Sequence, residues 1–209
     1  MKTIIFDCDG VLLDSAHIKT EAFLELFKDC TEEQLKEIKE HHERYGGYTR
    51  YYKIQHYSTK YRNKSLNAFE LAAEARKFSD IVLEKVKKCN VKEGVVEFLE
   101  KNHRELDMHV VSGTPIFELD EILKAHNLRH YFKSYYGTNE YKGKTCFINF
   151  IMEDYDREGS FYIGDALSDF EDAIEADLDF VGVVDKKNPF PENVLIIKNL
   201  NQLKIGGLV

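Results

Sequence analysis

The chain has 209 residues, 43% of them hydrophobic, and a formal net charge of −8. That length accommodates one well-buried domain, or a core carrying a smaller inserted unit. The acidic balance argues against nucleic acid, whose partners need a dense basic surface, and the short apolar run ahead of Asp7 excludes a secretory core or membrane span there, so a cytoplasmic protein with neither membrane nor nucleic-acid partner is expected.

The first element is the β-rich run Thr3-Ile4-Ile5-Phe6, which ends in Asp7-Cys8-Asp9-Gly10. Beyond Ser15 the pattern turns helical, with Ala16, Ala22, Phe23, Leu26 and Phe27 repeating near a 3.6-residue period. Thr31 is placed to cap a highly charged helix reaching Arg44. Gly46-Gly47 breaks that helix, a Tyr-rich basic stretch runs to Lys64, and Ser65 caps a long helix with Leu71, Ala75, Phe78, Val82 and Val86 on one face. No strand is predicted between Ser15 and Cys89. Residues 15–90 hold 15 Lys+Arg against 12 Asp+Glu, a balance of +3 that leaves −11 for the remainder.

From Val91 the texture alternates. Helices are predicted over 94–103, 115–126, 145–155 and 169–176, and strands over 108–111, 135–137, 161–164, 180–184 and 194–197. Such alternation implies a parallel, doubly wound sheet. The predicted architecture is α/β: a Rossmann-like core of residues 1–14 and 91–209, with an all-helical insert over 15–90. Four cysteines (Cys8, Cys30, Cys89, Cys146) lack Cys-x-x-Cys spacing, so free thiols are expected rather than a zinc site or disulfide framework.

Several strand ends carry chemistry. Asp7 and Asp9 stand where open α/β sheets bind ligands, although Asp-x-Asp-Gly is also a turn signal. Ser112-Gly113-Thr114-Pro115 reads as a helix start, with Thr114 as N-cap and Pro115 at the first helical position. A helix start at a strand end also makes an anion site. Lys142-Gly143-Lys144 offers two cations before a helix, where a solvated pair is the ordinary reading. Gly164-Asp165 followed by Asp169 fits either a metal-holding acidic cluster or an N-cap with a first-turn acid, while Glu171 and Asp172 read as solvated. Between Arg44 and Phe69 there is no acidic residue. Arg44, Arg50, Lys53, Lys60, Arg62 and Lys64 interleave there with tyrosines, which suits an anionic polyhydroxylated ligand or a solvated basic helix packing its tyrosines inward. His41-His42 reads as water-facing.

In this order the four motifs resemble those of the haloacid dehalogenase superfamily of aspartate-nucleophile phosphatases, and the insert is similar to the helical cap of its phosphoglycolate phosphatase and β-phosphoglucomutase-like members. The resemblance implies a Mg²⁺-dependent phosphatase acting on a small phosphorylated metabolite through an aspartyl-phosphate. It assigns Asp7 as nucleophile and Asp9 as acid/base. Asp7, Asp9 (through its backbone carbonyl), Asp165 and Asp169 would hold the metal. Ser112 and Gly113 would bind the phosphoryl group, and Lys142 would neutralise it, in register with the family's Lys-Gly-x form. Gly47-Tyr48-Thr49-Arg50 is similar to a cap turn whose arginine meets a substrate phosphate, so Arg50 is expected to bind substrate. Lys19 stands about where the mutase-like members have a histidine, which favours water as acceptor over a phosphomutase. A phosphonatase would need a Schiff-base lysine from the insert, and the sequence singles none out. The non-enzyme alternative is a receiver-like signalling domain, whose phospho-acceptor normally lies on a later strand.

Overall fold

The computed structural model describes residues 2–46, 48–138, 142–185 and 188–204. Six parallel strands form one sheet in the order β3-β2-β1-β4-β5-β6. These are β1 (Thr3–Phe6), β2 (Asp107–Ser112), β3 (Ser134–Gly137), β4 (Phe161–Gly164), β5 (Asp179–Val183) and β6 (Leu195–Ile197). β1 is central and wholly buried. Its side chains alternate between two apolar layers: Ile4 and Phe6 join the larger core, while Ile5 packs with Val111, Ile148, Ile151 and Tyr162. A parallel sheet covered on both faces requires such a run of apolar, β-branched residues.

Helices α5 (Val95–Asn102) and α6 (Ile116–Ala125) supply Val95, Phe98, Leu99, Leu119, Ile122 and Leu123 to the larger core. Helices α7 (Lys144–Ile151) and α8 (Leu167–Glu175) cover the other face. The loop beginning at Asp7 leads into four helices with no sheet strand among the described residues: α1 (Ala16–Leu26), α2 (Glu32–Arg44), α3 (Arg50–Arg62) and α4 (Ala68–Val86). This is the inserted helical cap.

Local signals set the helix ends. α2 begins with a capping box in which Thr31 and Gln34 satisfy each other's backbone N–H groups. The same device at Asn67 and Glu70 starts α4, two residues after the expected Ser65. The Tyr-rich basic stretch forms α3. Its start is capped by Thr49 Oγ1, which accepts from Tyr52 N at 3.2 Å, and its end is Asn63 in the left-handed region. Arg50, Lys53, Ile54, Tyr57 and Ser58 form its buried stripe, a pattern that charge and hydroxyl groups disguise in a hydropathy reading.

The cap core is aromatic. Phe23 and Phe78 lie 4.3 Å apart between centroids, and Tyr57 meets Phe23 and Phe27 edge-on at 5.7 and 5.6 Å. These residues belong to the same apolar cluster as β1, α5 and α6, so cap and core are continuous. No described helix is long and apolar enough to cross a membrane.

Gly137, at the end of β3, lies against the turn that starts α6. A Cβ there would sit 2.3 Å from Thr114 O and from Ile116 N, both backbone atoms that cannot rotate away. Gly137→Ala is expected to lower unfolding free energy by about 1–3 kcal/mol, the usual cost of overpacking, as read from urea midpoints. An unchanged midpoint would show that the turn is softer than its packing implies.

Candidate active site

The strand register builds the site. β1 pairs with β2 so that Phe6 opposes Val110, and with β4 so that Phe6 opposes Ile163. The ladder continues one step, with Asp7 N donating to Ile163 O at 2.8 Å. The residues that follow, Asp7 on β1, Ser112 on β2 and Asp165 after β4, therefore meet at one edge of the sheet, the carboxyl end where such folds bind ligands.

Asp7 is buried, and its Oδ1 accepts from Lys144 Nζ at 2.6 Å. The same ammonium donates to Asp169 Oδ1 at 2.6 Å and contacts Tyr162 Oη at 3.1 Å. Lys144, not Lys142, thus occupies the position beside the expected nucleophile: Lys142 is exposed, whereas Lys144 is 2% exposed. The reason is helical register. Lys144 is the first residue of α7 and its side chain is directed into the carboxylates, while Lys142 lies two residues earlier in the extended approach. A lysine in a helix's first turn opposes the macrodipole, so this position makes sense only when acids compensate it.

Asp169, expected among the metal-holding acids, is engaged by the protein itself. Its Oδ1 accepts from Lys144 and Tyr162, and its Oδ2 accepts from Asp165 N at 3.2 Å and Ala166 N at 3.0 Å. All four acceptor positions of a carboxylate are then occupied. Asp169 orients Lys144 and caps the turn into α8. One carboxylate oxygen each from Asp7, Asp165 and Asp169 nevertheless lie within 4.8 Å of one another. Asp165 approaches the first motif so closely that a Cβ on Gly10, whose φ is +80°, would fall 2.0 Å from Asp165 Oδ2. Only glycine fits that place.

Three acids around one lysine leave negative charge uncompensated. Burial pushes the Asp7 carboxyl up to about 7; Lys144 pulls it down, and Asp169 and Asp9 add to the rise. Burial foremost, then Asp169 and Asp7, hold Asp165 well above the ordinary carboxylate range. Burial opposes the charge on Lys144, but Asp169 and Asp7 raise it well above the usual lysine value.

Asp9 has different surroundings. Its Oδ1 accepts from Ser15 Oγ at 2.5 Å and its Oδ2 from Lys19 Nζ, which also donates to Thr114 Oγ1 at 2.6 Å. Burial pushes Asp9 upward, yet the Lys19 charge and the hydrogen bonds from Lys19 and Ser15 bring it below its ordinary value. Ser15, at the N-cap position of α1, makes no cap bond because its hydroxyl is committed to Asp9. Ser112 Oγ is buried and accepts from Thr114 N at 3.1 Å, and Gly113 lines the cleft beside it. The expected helix start shifts by one residue, with Pro115 as N-cap and Ile116 first.

The cleft has a volume of ≈ 500 Å³ including its mouth, and cap residues Lys19, Phe23, His42, Tyr48, Arg50 and Lys53 face Asp7, Asp9, Lys144 and Asp165 across it. Arg50, expected to bind substrate, lines the cleft and is paired with the core. Its Nη1 and Nη2 donate to Glu118 Oε1 and Oε2 of α6 at 2.8 and 2.6 Å, and its guanidinium stacks over Phe78 at 5.0 Å. It fastens the cap to the core. His42, expected at the surface, is buried against Phe23 and Lys53. Asp172, expected to be solvated, is half-buried and accepts from Thr145 Oγ1 at 2.6 Å.

The doubly wound sheet thus gathers two aspartates, a serine, a lysine and a further acidic pair at its carboxyl edge, beneath the helical cap. Residues 4–183 match the model of the haloacid dehalogenase-like hydrolases, and the chain belongs to that family. Solved structures with the same fold include β-phosphoglucomutase from Clostridium difficile (TM-score 0.81, 17% identity, covering 98% of this chain and 93% of that one). CbbY from Rhodobacter sphaeroides, in complex with phosphate, superposes with a TM-score of 0.76 at 14% identity over 97% of this chain and 96% of that one. YfnB from Bacillus subtilis, bound to magnesium, gives 0.69 at 18% identity over 96% and 95%. No curated protein matches the chain.

The Asp165 carboxyl gives a test of this charge balance. Its folded-state pKa lies above the unfolded value, so the folded state binds the proton more tightly and the cost of Asp165 grows as pH rises above about 4. In metal-free protein, Asp165→Asn is expected to raise the melting temperature by about 2–4 °C at pH 7.5, the shift that roughly 1 kcal/mol produces in a chain of this size. The gain should disappear near the unfolded carboxylate pKa. Melting curves in chelator at both pH values check it; a lower melting temperature at pH 7.5 would refute the excess of negative charge.

Proposed function

We propose that the protein is a Mg²⁺-dependent phosphatase that hydrolyses a small phosphate monoester through an aspartyl-phosphate on Asp7. The observation that carries this reading is the Asp7 carboxylate, fixed at 2.6 Å from a buried lysine and facing the cleft between core and cap. Asp7 and Asp165, with the Asp9 backbone carbonyl, would hold the magnesium. The uncompensated charge of the acidic group fits a hard divalent ion with oxygen ligands, which would supply charge neutralisation for the phosphoryl group.

The residues divide the work. Asp7 attacks phosphorus, and the P–O bond to the leaving group breaks as the Asp7–phosphorus bond forms. Lys144 neutralises the nucleophile and the phosphoryl oxygens, and Ser112 donates its O–H to one of them. The Asp9–Lys19 pair carries one transferable proton. It passes to the leaving oxygen in the first half and returns from the attacking water in the second, when the acyl phosphate is hydrolysed. Arg50 enters as a fastener of the closed cap, which excludes bulk water during the reaction.

Turnover of p-nitrophenyl phosphate is expected to require Mg²⁺ and to vanish in Asp7→Asn. Lys144→Ala should lose roughly 10²–10³ in kcat, the scale of one electrostatic stabiliser, with Lys142→Ala near wild type. Wild-type rates in Asp7→Asn, or the reverse order of the two lysines, would sink the assignment. Phosphorus NMR of a sugar phosphate substrate separates the remaining readings: inorganic phosphate in step with substrate loss supports hydrolysis, and a positional isomer with little free phosphate establishes a mutase.

A further inference from the structure

Four basic side chains line the cleft: Lys19, Arg50, Lys53 and Lys144. Three face carboxylates. Lys19 pairs with Asp9, Arg50 with Glu118, and Lys144 with Asp7 and Asp169. Lys53 does not. Its Nζ lies 2.8 Å from His42 Nδ1 and 2.8 Å from Gly46 O, both neutral acceptors, and no carboxylate among the described residues pairs with it.

The side chain is 1% exposed. Lysine is almost never buried this far without a counter-charge, and a methionine of similar length would fill the space beside Phe23 without the desolvation cost. Around the amine stand His42 from α2, Lys19 from α1, and Asp9, Lys144 and Asp169 from the core. Burial first, then Lys19 and Lys144, drive its pKa well below that of free lysine, against the opposing pull of Asp169 and Asp9. His42 is likewise kept neutral by burial and by Lys53. An oxyanion brought beside the amine would favour its charged form, whose three donors exceed the two acceptors, Gly46 O and His42 Nδ1, that stand around it among the described residues.

Asp7, Ser112 and Lys144 receive the phosphoryl group at the floor of the cleft, whereas Lys53 belongs to α3 in the roof. We infer that Lys53 is the specificity residue of this cleft, receiving a second oxyanion, a carboxylate or another phosphate, carried by the substrate at the end remote from the reacting phosphorus. Arg50, the residue whose sequence context pointed to that task, is already held by Glu118. The inference rests on the phosphatase reading only for where the first phosphate sits.

The test is equilibrium binding, which needs no turnover. Calorimetric titration of the whole protein at fixed free Mg²⁺ would compare ethylphosphonate, which has one oxyanion, with phosphonoacetate, which adds a carboxylate, and methylenebisphosphonate, which adds a second phosphonate. Wild type should bind at least one of the two-headed ligands about tenfold or more tightly than ethylphosphonate, the effect of one charge-assisted hydrogen bond. The tighter of the two identifies the second group. Lys53→Met should bring the ratio to about unity with ethylphosphonate binding unchanged, and Lys53→Arg should restore part of it. No preference in wild type, a preference that survives in Lys53→Met, or equal weakening of all three ligands would each overturn the inference, the last by showing a structural role or one toward the reacting phosphoryl group. If Lys53→Met fails to fold, judged by circular dichroism, the wild-type ratio and its change in Lys53→Arg decide. A protein that binds with this preference but hydrolyses no phosphate ester would refute the phosphatase reading and leave Lys53's assignment standing; the converse result would do the opposite.

Discussion

The buried ammonium of Lys144, held between Asp7 and Asp169, is the interaction on which the rest of the site depends. Three chain segments end on it: the exit of β1, the start of α7 and the first turn of α8. A buried ion pair is weak evidence for stability, because desolvation offsets the attraction, but removing one member leaves an expensive orphan. Here Asp169 spends all its acceptors on Lys144, Tyr162 and two backbone N–H groups, so it cannot move without exposing four donors. The lysine is therefore fixed, and Asp7 with it. Preorganisation of this kind lets an electrostatic group act on a reacting phosphate without reorganising at the moment of reaction.

The sheet supplies the placement and the loops supply the chemistry. Parallel register brings the ends of β1, β2 and β4 to one edge, and Gly10 lets the first loop pass so close to Asp165 that the two motifs share one space. Two aspartates separated by one residue then acquire opposite characters. Asp7, among other acids with one lysine, is pushed up; Asp9, between Lys19 and Ser15, is drawn down. Environment, rather than residue type, sets the two carboxyls apart.

The strands and most helix positions were legible because hydrophobic period and helix caps are local. β4 at Phe161–Gly164 matches its predicted range, and the Thr31 cap stands where the sequence placed it. What was not legible depended on helical phase. Lys142 and Lys144 are indistinguishable as charges, and only the start of α7 decides which enters the site. The missing clue was available: a lysine at the first helical residue needs a reason. Likewise His42 and Lys53 read as surface residues because neighbouring charges outweighed the stripe formed by Ile38 on α2 and by Ile54 and Tyr57 on α3. The pairing of Arg50 was not legible either, since nothing local announces that Glu118, far along the chain, will take both ends of its guanidinium.

These pairings hold the cap against the core. Arg50 to Glu118, Lys19 to Asp9 and Tyr48 to Glu171 all cross from cap to core, and the last, at 3.2 Å on the exposed rim, is the weakest in kind. The first two are sheltered, so opening returns their charges to water while breaking them, and the net preference for closure is modest by the same desolvation argument that weakens any buried pair. A modest preference suits a site that must admit and release small molecules. Lys53 makes its direct contacts within the cap, to His42 and Gly46. A ligand that brought it a counter-charge would add attraction only in the closed arrangement, where α3 faces the phosphoryl floor, and so would bias the cap by its differential contact with that state.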